Sequence, residues 1–239
     1  MSYSQVFKTF IENTNEKQLL REHIQKTIAE YEVDSILDIG PGNGTLSVPL
    51  SQQVDEYLGV EKKQKFVEEL REAGLEIVHD SFPVDLDRKF GLVLISHSVP
   101  YEPEKYKKFL RTAYSYVTKG GVLVLITFRG KKHEDWQHIR KLIGQNSKAL
   151  QHRRWLQKLH NFLQSLGETK VNHINSSVSC SSVDGLYDAL GFVFSNGKTK
   201  KLREWQKEET KIKAYLSKHH KEEGGYSISC THSYFTVCR

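Results

Sequence analysis

An apolar run that passes directly into three closely spaced glycines constrains this chain more than any other feature. The run Ile36-Leu37-Asp38-Ile39 is followed at once by Gly40-Pro41-Gly42-Asn43-Gly44. Glycine lets a backbone turn sharply and approach a ligand where a Cβ would collide. The pattern therefore predicts a buried strand, a tight turn and a helix that begins near Thr45. The turn is either a plain strand-to-helix connection or a loop that binds a nucleotide-like ligand.

The spacing of the glycines distinguishes between kinds of nucleotide loop. A dinucleotide-binding loop would have its third glycine at Thr45, and the Gly-Lys-Ser/Thr ending of a P-loop is missing. An acidic residue before G-x-G-x-G, here Asp38 before Gly40, Gly42 and Gly44, resembles the motif of class I methyltransferases that bind S-adenosylmethionine. The resemblance implies that the glycines line the amino-acid end of the cofactor. It also implies that Asp38 orients the loop or meets the cofactor's ammonium, directly or through water.

A carboxylate at the end of the next apolar run agrees with this hypothesis. The run Tyr57-Leu58-Gly59-Val60-Glu61 ends in Glu61, 17 residues after Gly44 and close to the ~20 residues typical of a ribose-binding acid. A carboxylate at the carboxyl end of a strand accepts hydrogen bonds from two vicinal hydroxyls. Glu61 is therefore predicted to hold the cofactor's ribose, and a solvated glutamate at a strand end is the alternative.

Strands and helices alternate over the first half of the chain. The predicted strands are 36–40, 57–61, 75–79, 90–96 and 121–128, and the predicted helices are 45–53, 62–73 and 103–117. Alternation implies a parallel sheet with helices on both faces and ligands at the carboxyl ends of the strands. We predict an α/β fold of the class I methyltransferase (Rossmann-like) type, with a mostly parallel sheet of seven strands.

The remaining segments are predicted to complete one domain over 1–239, a length that can bury a substantial core. Residues 1–31 form an N-terminal helical lid, broken into two helices at Asn13-Thr14-Asn15, and residues 131–168 form a helical insertion that contributes to substrate cover. Further predicted helices are 133–166, 181–190 ending at Gly191, and 200–220. Further predicted strands are 170–179, 226–229 and 233–237.

Composition limits the classes of partner. With 38% hydrophobic and 27% charged residues, the chain contains no run near the ~20 apolar residues that span a bilayer. The polar N-terminus lacks a signal core, so a cytoplasmic protein is predicted. Three cysteines without C-x-x-C spacing indicate neither disulfides nor a zinc site, and no metal is expected. The charge of +6 is assigned to solvated lysines, with RNA as the alternative, and a monomer or weak dimer is expected.

The segment from Phe7 to Gln18, with Glu16 inside it, resembles the opening of the histamine N-methyltransferase family. Fainter similarities follow in Ile95-Ser96-His97-Ser98-Val99-Pro100-Tyr101 and in Gly130-Lys131-Lys132-His133-Glu134-Asp135-Trp136. The resemblance implies that Glu16 holds a cationic amine and that His97 occupies the position of a glutamine that contacts the substrate. Tyr101, Trp136 and Tyr226 are candidate aromatic walls for a cationic nitrogen. The implied reaction transfers a methyl group to an amine nitrogen of a histamine-like small molecule.

The predicted strand ends supply the remaining site residues. Asp80 and Ser81 follow the third strand, where such enzymes meet the exocyclic amine of adenine. Ser96 and His97 end the fourth strand, beneath the reactive methyl. Methyl transfer from a sulfonium needs alignment more than a nucleophile. If the acceptor is ionised, His97 is the candidate base, and the cofactor leaves as S-adenosylhomocysteine.

Two other functions fit the same loop. Ribosomal RNA adenine dimethyltransferases have a similar glycine loop, and their catalytic N-L-P-Y run is partly matched by Ser98-Val99-Pro100-Tyr101. An RNA adenine N6-methyltransferase would use the basic patch of Arg153, Arg154, Trp155 and Lys158. Ser98 replaces the asparagine of that run and lacks its amide carbonyl. The third possibility is a non-catalytic scaffold that binds S-adenosylmethionine.

Overall fold

Helices and strands alternate along the chain, which the computed structural model describes over residues 3–129, 134–195 and 199–239. Its helices are α1 Tyr3–Glu12, α2 Glu16–Glu30, α3 Ser47–Ser51, α4 Gln64–Glu72, α5 Pro103–Ser115, α6 Glu134–Leu142, α7 Asn146–Gln164, α8 Val183–Ser195, α9 Thr199–Lys207 and α10 Glu209–His219. Its strands are β1 Ser35–Ile39, β2 Glu56–Glu61, β3 Ile77–His79, β4 Phe90–Ser96, β5 Val117–Phe128, β6 Thr169–Cys180, β7 Lys221–Glu222 and β8 Gly225–Cys238. Among the described helices, none is long and apolar enough to span a membrane.

The strands form one sheet in the order β3-β2-β1-β4-β5-β8-β6, and β7 pairs with β8. Strands β3, β2, β1, β4 and β5 are parallel, and β8 runs antiparallel to β5. This is the Rossmann-like, mostly parallel α/β arrangement that the alternation predicts, with an eighth, two-residue strand beyond the predicted seven. The strand order reverses between β1 and β4, and open α/β sheets bind ligands beside such a reversal, at the carboxyl ends of the strands.

The chain divides into two compact units. The first unit contains the residues up to Glu16 together with Arg129–Arg154 and Asn175–Thr231. The second unit contains Lys17–Phe128, Trp155–Ile174 and His232–Arg239. The predicted lid over 1–31 and insertion over 131–168 remain predictions, and part of the insertion, residues 131–133, lies outside the described residues.

The second unit buries apolar side chains on both faces of its strands. Successive residues of a strand point to opposite faces, so Leu37 and Ile36 of β1 enter different clusters. One cluster packs against α5 and the second half of α7, and the other packs against α2 and α4. Because helices cover both faces of these strands, their sequences are continuous apolar runs and do not alternate between apolar and polar residues.

Aromatic packing holds the first unit together. The rings of Phe7 and Phe10 of α1 each lie 5.0 Å from the ring of Phe192 in α8. The loop between α1 and α2 is fixed within the same unit, because Thr14 forms an antiparallel bridge with Val178 of β6. The break at residues 13–15 that the sequence predicts is therefore confirmed, and it is held by pairing to a strand.

Several predicted boundaries are wrong. The helix predicted over 133–166 is interrupted at Gly144, which has a φ of +67° and follows α6; residue 133 is not described. The helix predicted over 200–220 divides at Glu208 into α9 and α10, and α8 continues beyond Gly191 to Ser195. Strand β5 begins four residues earlier than predicted, at Val117, and the stretches 226–229 and 233–237 are parts of the single strand β8.

Candidate functional site

The glycine loop lies in the second unit and connects the carboxyl end of β1 to α3. Its glycines have φ angles of +82° at Gly40, +62° at Gly42 and +76° at Gly44. A residue with a Cβ adopts this left-handed region at a cost of roughly 1–2 kcal/mol. The Gly40 N–H donates to the Val60 carbonyl of β2 at 2.9 Å. The backbone therefore stays bonded to the sheet up to Gly40 and turns away after it. The backbone takes the sharp turn that the glycine spacing predicts.

The space around the three glycines differs. A Cβ on Gly40 would lie 2.8 Å from the Ser98 Cβ, and one on Gly44 would lie 2.8 Å from the Leu70 Cδ2. Within the described residues, nothing beyond its chain neighbours comes within 4 Å of a Cβ built on Gly42. Gly40 and Gly44 are therefore required by the packing of the protein itself. At Gly42 the loop leaves room for a ligand.

Glu61 ends β2 beside this loop. Its side chain is buried, and its Oε2 accepts a hydrogen bond from the Gly42 N–H at 3.1 Å. Its Oε1 accepts one from the Lys63 N–H at 2.9 Å. These two backbone donors fix the carboxylate, and each oxygen keeps a further lone pair for a hydroxyl donor. The carboxylate therefore keeps acceptor capacity beside the loop, and its contact with a ribose remains a prediction.

Asp38 lies in the interior behind the glycine loop. The residue is 2% exposed, and its Oδ2 accepts hydrogen bonds from the Ser47 hydroxyl at 2.7 Å and from the Tyr57 hydroxyl at 3.0 Å. Burial raises the pKa of Asp38 to about 6, while these two hydrogen bonds and the charge of Lys17 act in the opposite direction. Asp38 thereby joins α3 to β1 and β2. Both predicted roles of Asp38, orienting the loop and meeting the cofactor's ammonium, remain predictions.

The loop after β3 carries the predicted adenine contacts. Asp80 and Ser81 are both exposed, and the Asp80 Oδ1 accepts a hydrogen bond from the Ser81 N–H at 2.6 Å. Phe82 packs edge-on against Phe109, with ring centroids 4.9 Å apart. Phe82 therefore anchors the loop to the core and leaves the two polar side chains accessible at the carboxyl edge of the sheet.

The end of β4 combines a strained residue with a buried hydroxyl. His97 has a φ of +57°, its N–H donates to the Ile126 carbonyl at 3.0 Å, and its side chain is exposed. The Ser96 Oγ is buried and has no hydrogen-bond partner among the described residues. The Ser98 hydroxyl donates to the Ile39 carbonyl at 2.5 Å. Non-glycine residues held at positive φ concentrate at functional sites, which agrees with the predicted role of His97.

A second histidine, which sequence reasoning missed, lies beside His97 in the second unit. His232 belongs to β8, pairs with Phe128 of β5 and is 1% exposed. The ring centroids of His97 and His232 are 5.4 Å apart, and the ring planes are inclined by 75°. The only signal in the sequence was a histidine next to the predicted strand 233–237. Nothing near residue 232 indicates that His97 lies beside it.

The structure brings the predicted cofactor residues together in the second unit, at the carboxyl edge of the sheet or just behind it. They are Asp38, Gly40, Gly42, Gly44, Glu61, Asp80, Ser81 and Ser96, with His97 beside them. Tyr101 also belongs to this unit; it is 58% exposed, and its ring centroid lies 4.7 Å from that of Trp155.

Glu16, Trp136 and Tyr226 belong to the first unit. Glu16 begins α2 and is buried, and its N–H donates to the Thr14 Oγ1 at 3.2 Å. Burial, and secondly the charge of Glu16, raise the pKa of the Cys230 thiol. Trp136 is fully buried, and its Nε1–H donates to the Ser229 carbonyl at 2.8 Å. These contacts describe packing, and a substrate contact of Trp136 remains a prediction.

Comparisons with known proteins agree with this geometry. Residues 12–176 match the model of a family described as a methyltransferase domain, whereas no curated protein matches the sequence. The structure is similar to that of the YcgJ protein from Bacillus subtilis, with a TM-score of 0.57, 15% identity, and coverage of 91% of this chain and 98% of that one.

Two further structures are similar. An S-adenosylmethionine-dependent methyltransferase from Geobacter sulfurreducens, in complex with S-adenosyl-L-homocysteine, has a TM-score of 0.53 and 13% identity, with 91% of each chain covered. The plantazolicin methyltransferase BpumL, in complex with a pentazolic desmethylPZN analog and SAH, has a TM-score of 0.51 and 11% identity, with 94% of this chain and 85% of that one covered. At these identities the likeness establishes a shared fold.

Proposed function

Because this chain belongs to the methyltransferase-domain family, we propose that it is an S-adenosylmethionine-dependent enzyme that methylates an amine nitrogen of a small molecule. The observation that carries the cofactor assignment is the buried Glu61 carboxylate, which accepts the Gly42 N–H at 3.1 Å. This hydrogen bond joins the glycine loop to the carboxyl end of β2. The strand order reverses next to β1, and open α/β sheets bind ligands beside such a reversal.

The residues fit the cofactor part by part. Glu61 has lone pairs for the two ribose hydroxyls, and the loop has space at Gly42 for the amino-acid end. The exposed Asp80 carboxylate offers an acceptor for the exocyclic amine of adenine. S-adenosylmethionine supplies a methyl group on a positively charged sulfur, so its leaving group needs no activation by the protein.

The protein's part in the reaction is to align the acceptor, exclude water and remove a proton. We assign Ser96 and His97, at the end of β4, to the acceptor's reacting atom. An amine attacks through its lone pair, so an ionised amine must first lose a proton. The exposed His97 imidazole is the group that accepts this proton, and holding the lone pair in line with the methyl supplies most of the remaining rate enhancement.

The amine assignment depends on Glu16 and on the resemblance of the N-terminal segment to the histamine N-methyltransferase family. Glu16 is a buried acid in a segment whose hydrogen bonds to β6 hold its backbone in place. The resemblance implies that the matching glutamate holds the amine of the substrate, and a carboxylate binds a cationic nitrogen through strong, charge-assisted hydrogen bonds. We therefore propose that Glu16 pairs with the charged nitrogen of the acceptor.

The cofactor assignment is tested by calorimetry with two matched variants of β2. Glu61→Gln should weaken S-adenosylmethionine binding by about 10-fold or more, because charge-assisted bonds to a carboxylate are worth roughly 1.5–3 kcal/mol. Glu56→Gln changes an acid at the opposite end of the same strand, where it pairs with Arg88, and should leave the affinity unchanged. Equal affinities in the wild type and Glu61→Gln would refute the assignment.

The acceptor class is tested with labelled S-adenosylmethionine against small amines, small carboxylates and RNA. Transfer to an amine is expected. Glu16→Gln should then raise the KM for the cationic acceptor at least tenfold while leaving the KM for the cofactor nearly unchanged. The exposed Glu12→Gln on α1 is the control and should change neither value. Transfer to RNA alone, or equal effects of Glu16→Gln on both KM values, would contradict the amine assignment.

A further inference from the structure

We propose that His97 and His232 form a binding site for a divalent transition-metal ion. The two histidines are 135 positions apart in the sequence, yet both belong to the second unit. A ring nitrogen of one lies within 4.8 Å of a ring nitrogen of the other. The sequence alone predicts no metal, because its three cysteines lack C-x-x-C spacing and nothing local connects residue 97 with residue 232.

The geometry of the pair suits shared coordination. A zinc ion holds imidazole nitrogens at about 2.0–2.1 Å in a tetrahedral arrangement, which places two such nitrogens roughly 3.4 Å apart. The rings are inclined by 75° and are not stacked. Because the His97 side chain is exposed, rotation about its side-chain bonds can bring its nitrogen closer. His232 is 1% exposed and provides a fixed ligand.

The backbone holds both ligands in place before any ion binds. His97 sits at a φ of +57°, with its N–H bonded to the Ile126 carbonyl of β5. His232 is registered opposite Phe128 of the same strand, with Phe128 and His232 ring centroids 5.9 Å apart. His97 follows β4 and His232 belongs to β8, and both of these strands pair with β5. His232 lies on a strand and His97 directly follows one, so the sheet limits the movement of both ligands.

The ligand type limits the identity of the ion. Neutral imidazole favours Zn²⁺, Cu²⁺, Ni²⁺ and iron over Mg²⁺ or Ca²⁺, which prefer oxygen ligands. Two histidines leave further coordination positions for water. The buried Ser96 hydroxyl immediately precedes His97 and supplies a hydrogen-bonding group for such a ligand. The metal proposal does not depend on which acceptor is methylated. A neutral imidazole has one basic nitrogen, so a bound ion and the acceptor's proton compete for His97.

The test is direct metal binding to the untagged, full-length protein after treatment with a chelator. Calorimetry with Zn²⁺ should show one equivalent bound, and Co²⁺ should produce a visible absorption band of low-symmetry coordination. His97→Ala and His232→Gln should each weaken Zn²⁺ binding by more than about 10-fold, since even outer-shell partners of metal ligands are worth that much. His79→Ala, which changes an exposed histidine at the end of β3, should bind Zn²⁺ as the wild type does.

S-adenosylmethionine affinity and the melting temperature are measured on every variant, so that misfolding is separated from loss of a ligand. His97 is exposed, and its variant decides the outcome even if substitution of the buried His232 unfolds the protein. Absence of a stoichiometric site for Zn²⁺, Co²⁺ and Ni²⁺ in the wild type would overturn the proposal. Wild-type affinity in His97→Ala would overturn it as well. Either result would leave the cofactor assignment intact, because that assignment depends on Glu61.

Discussion

At the scale of single residues, the site is defined by backbone conformations that side chains rarely adopt. Gly40, Gly42, Gly44 and His97 all have positive φ angles within the second unit. Three of them are glycines, for which the conformation is readily available. His97 is not, so its conformation is maintained by the surrounding bonds, including that of its N–H to Ile126. The residue that we propose as the base is therefore also one held in a strained conformation.

Comparing substitutions at Gly42 and Gly74 distinguishes the effect of backbone strain from the effect of losing a ligand contact. Both have positive φ, +62° and +85°, and a Cβ built on either meets no described atom within 4 Å beyond its chain neighbours. Gly42→Ala and Gly74→Ala should each lower the free energy of unfolding by about 1–2 kcal/mol. Only Gly42→Ala should also weaken S-adenosylmethionine binding, by about 10-fold or more, measured by calorimetry. An equal loss of affinity in Gly74→Ala would show that strain, and not ligand contact, is responsible.

Asp38 makes the stability of the protein depend on pH. Burial raises its pKa from an ordinary value of 3.8 to about 6, so between these values the folded state binds more protons than the unfolded state. Its contribution to stability is complete below about pH 4 and is lost as the pH rises through 6. A difference of about two pKa units corresponds to about 3 kcal/mol.

Urea denaturation of the wild type and Asp38→Asn across this range measures the effect. The asparagine variant lacks the titration but retains an oxygen for Ser47 and Tyr57. The wild type should therefore lose up to about 3 kcal/mol relative to the variant between pH 4 and pH 7. A stability difference that stays constant with pH would contradict the assignment.

At the scale of elements, α8 shows how packing overrides a local signal. Gly191 predicts a helix end, yet α8 continues through it to Ser195. A Cβ at this position would lie 3.1 Å from the Trp205 Nε1. The Trp205 ring stacks on Tyr187 and Phe194, with centroids 5.0 Å away in both cases. Gly191 is therefore a contact point between α8 and α9 and does not act as a cap.

Substitutions within α8 test this interpretation. Gly191→Ala should lower the free energy of unfolding by roughly 1–3 kcal/mol, because the added Cβ would force the Trp205 ring to shift out of its stacked position. Gly185→Ala is the control in the same helix. Its Cβ would lie 3.3 Å from the Cys180 Cβ, a tight contact that involves no stacked ring, and both variants gain about 1 kcal/mol of helix propensity. Chemical denaturation should show little loss for Gly185→Ala, and a comparable loss in both variants would count against the packing explanation.

At the scale of the whole molecule, the positive charge is unevenly distributed. The first unit contains 18 lysines and arginines against 11 aspartates and glutamates, whereas the second contains 17 against 18. The formal charge of +6 thus belongs to the first unit and is not scattered along the chain. The second unit is close to neutral, so its glycine loop depends on local hydrogen bonds to bind a cofactor that is itself a zwitterion with a sulfonium.

Ligand binding provides a test at this scale. A ligand that binds only the folded state at 100 times its Kd adds about 2.7 kcal/mol of stability. For a chain of this length, each kcal/mol raises the melting temperature by roughly 2–4 °C. S-adenosylmethionine should therefore raise the Tm by roughly 5–10 °C in thermal denaturation. Glu61→Gln should show a much smaller rise at the same concentration, and an equal rise would oppose a role for Glu61.

Much of this organisation is predictable from the sequence. The glycine spacing predicts the turn after β1, and the apolar run that ends in Glu61 predicts a carboxylate beside it; both are found. Helix boundaries are predicted less well, because Gly144 ends α6 whereas Gly191 does not end α8. The difference depends on Trp205, a residue remote in sequence that no local pattern connects to Gly191.

The sequence by itself determined the Rossmann-like sheet, the glycine loop and the family, since strand periodicity and glycine conformations are properties of neighbouring residues. Only the tertiary structure decided that Asp38 is buried and bonded to Ser47 and Tyr57 and that His232 lies beside His97. The position of Asp38 depends on which side chains fill the space behind the loop, and the contact of His97 with His232 depends on which strands pair with β5. Both bring together residues that are far apart in the sequence, so they form only when the sheet forms.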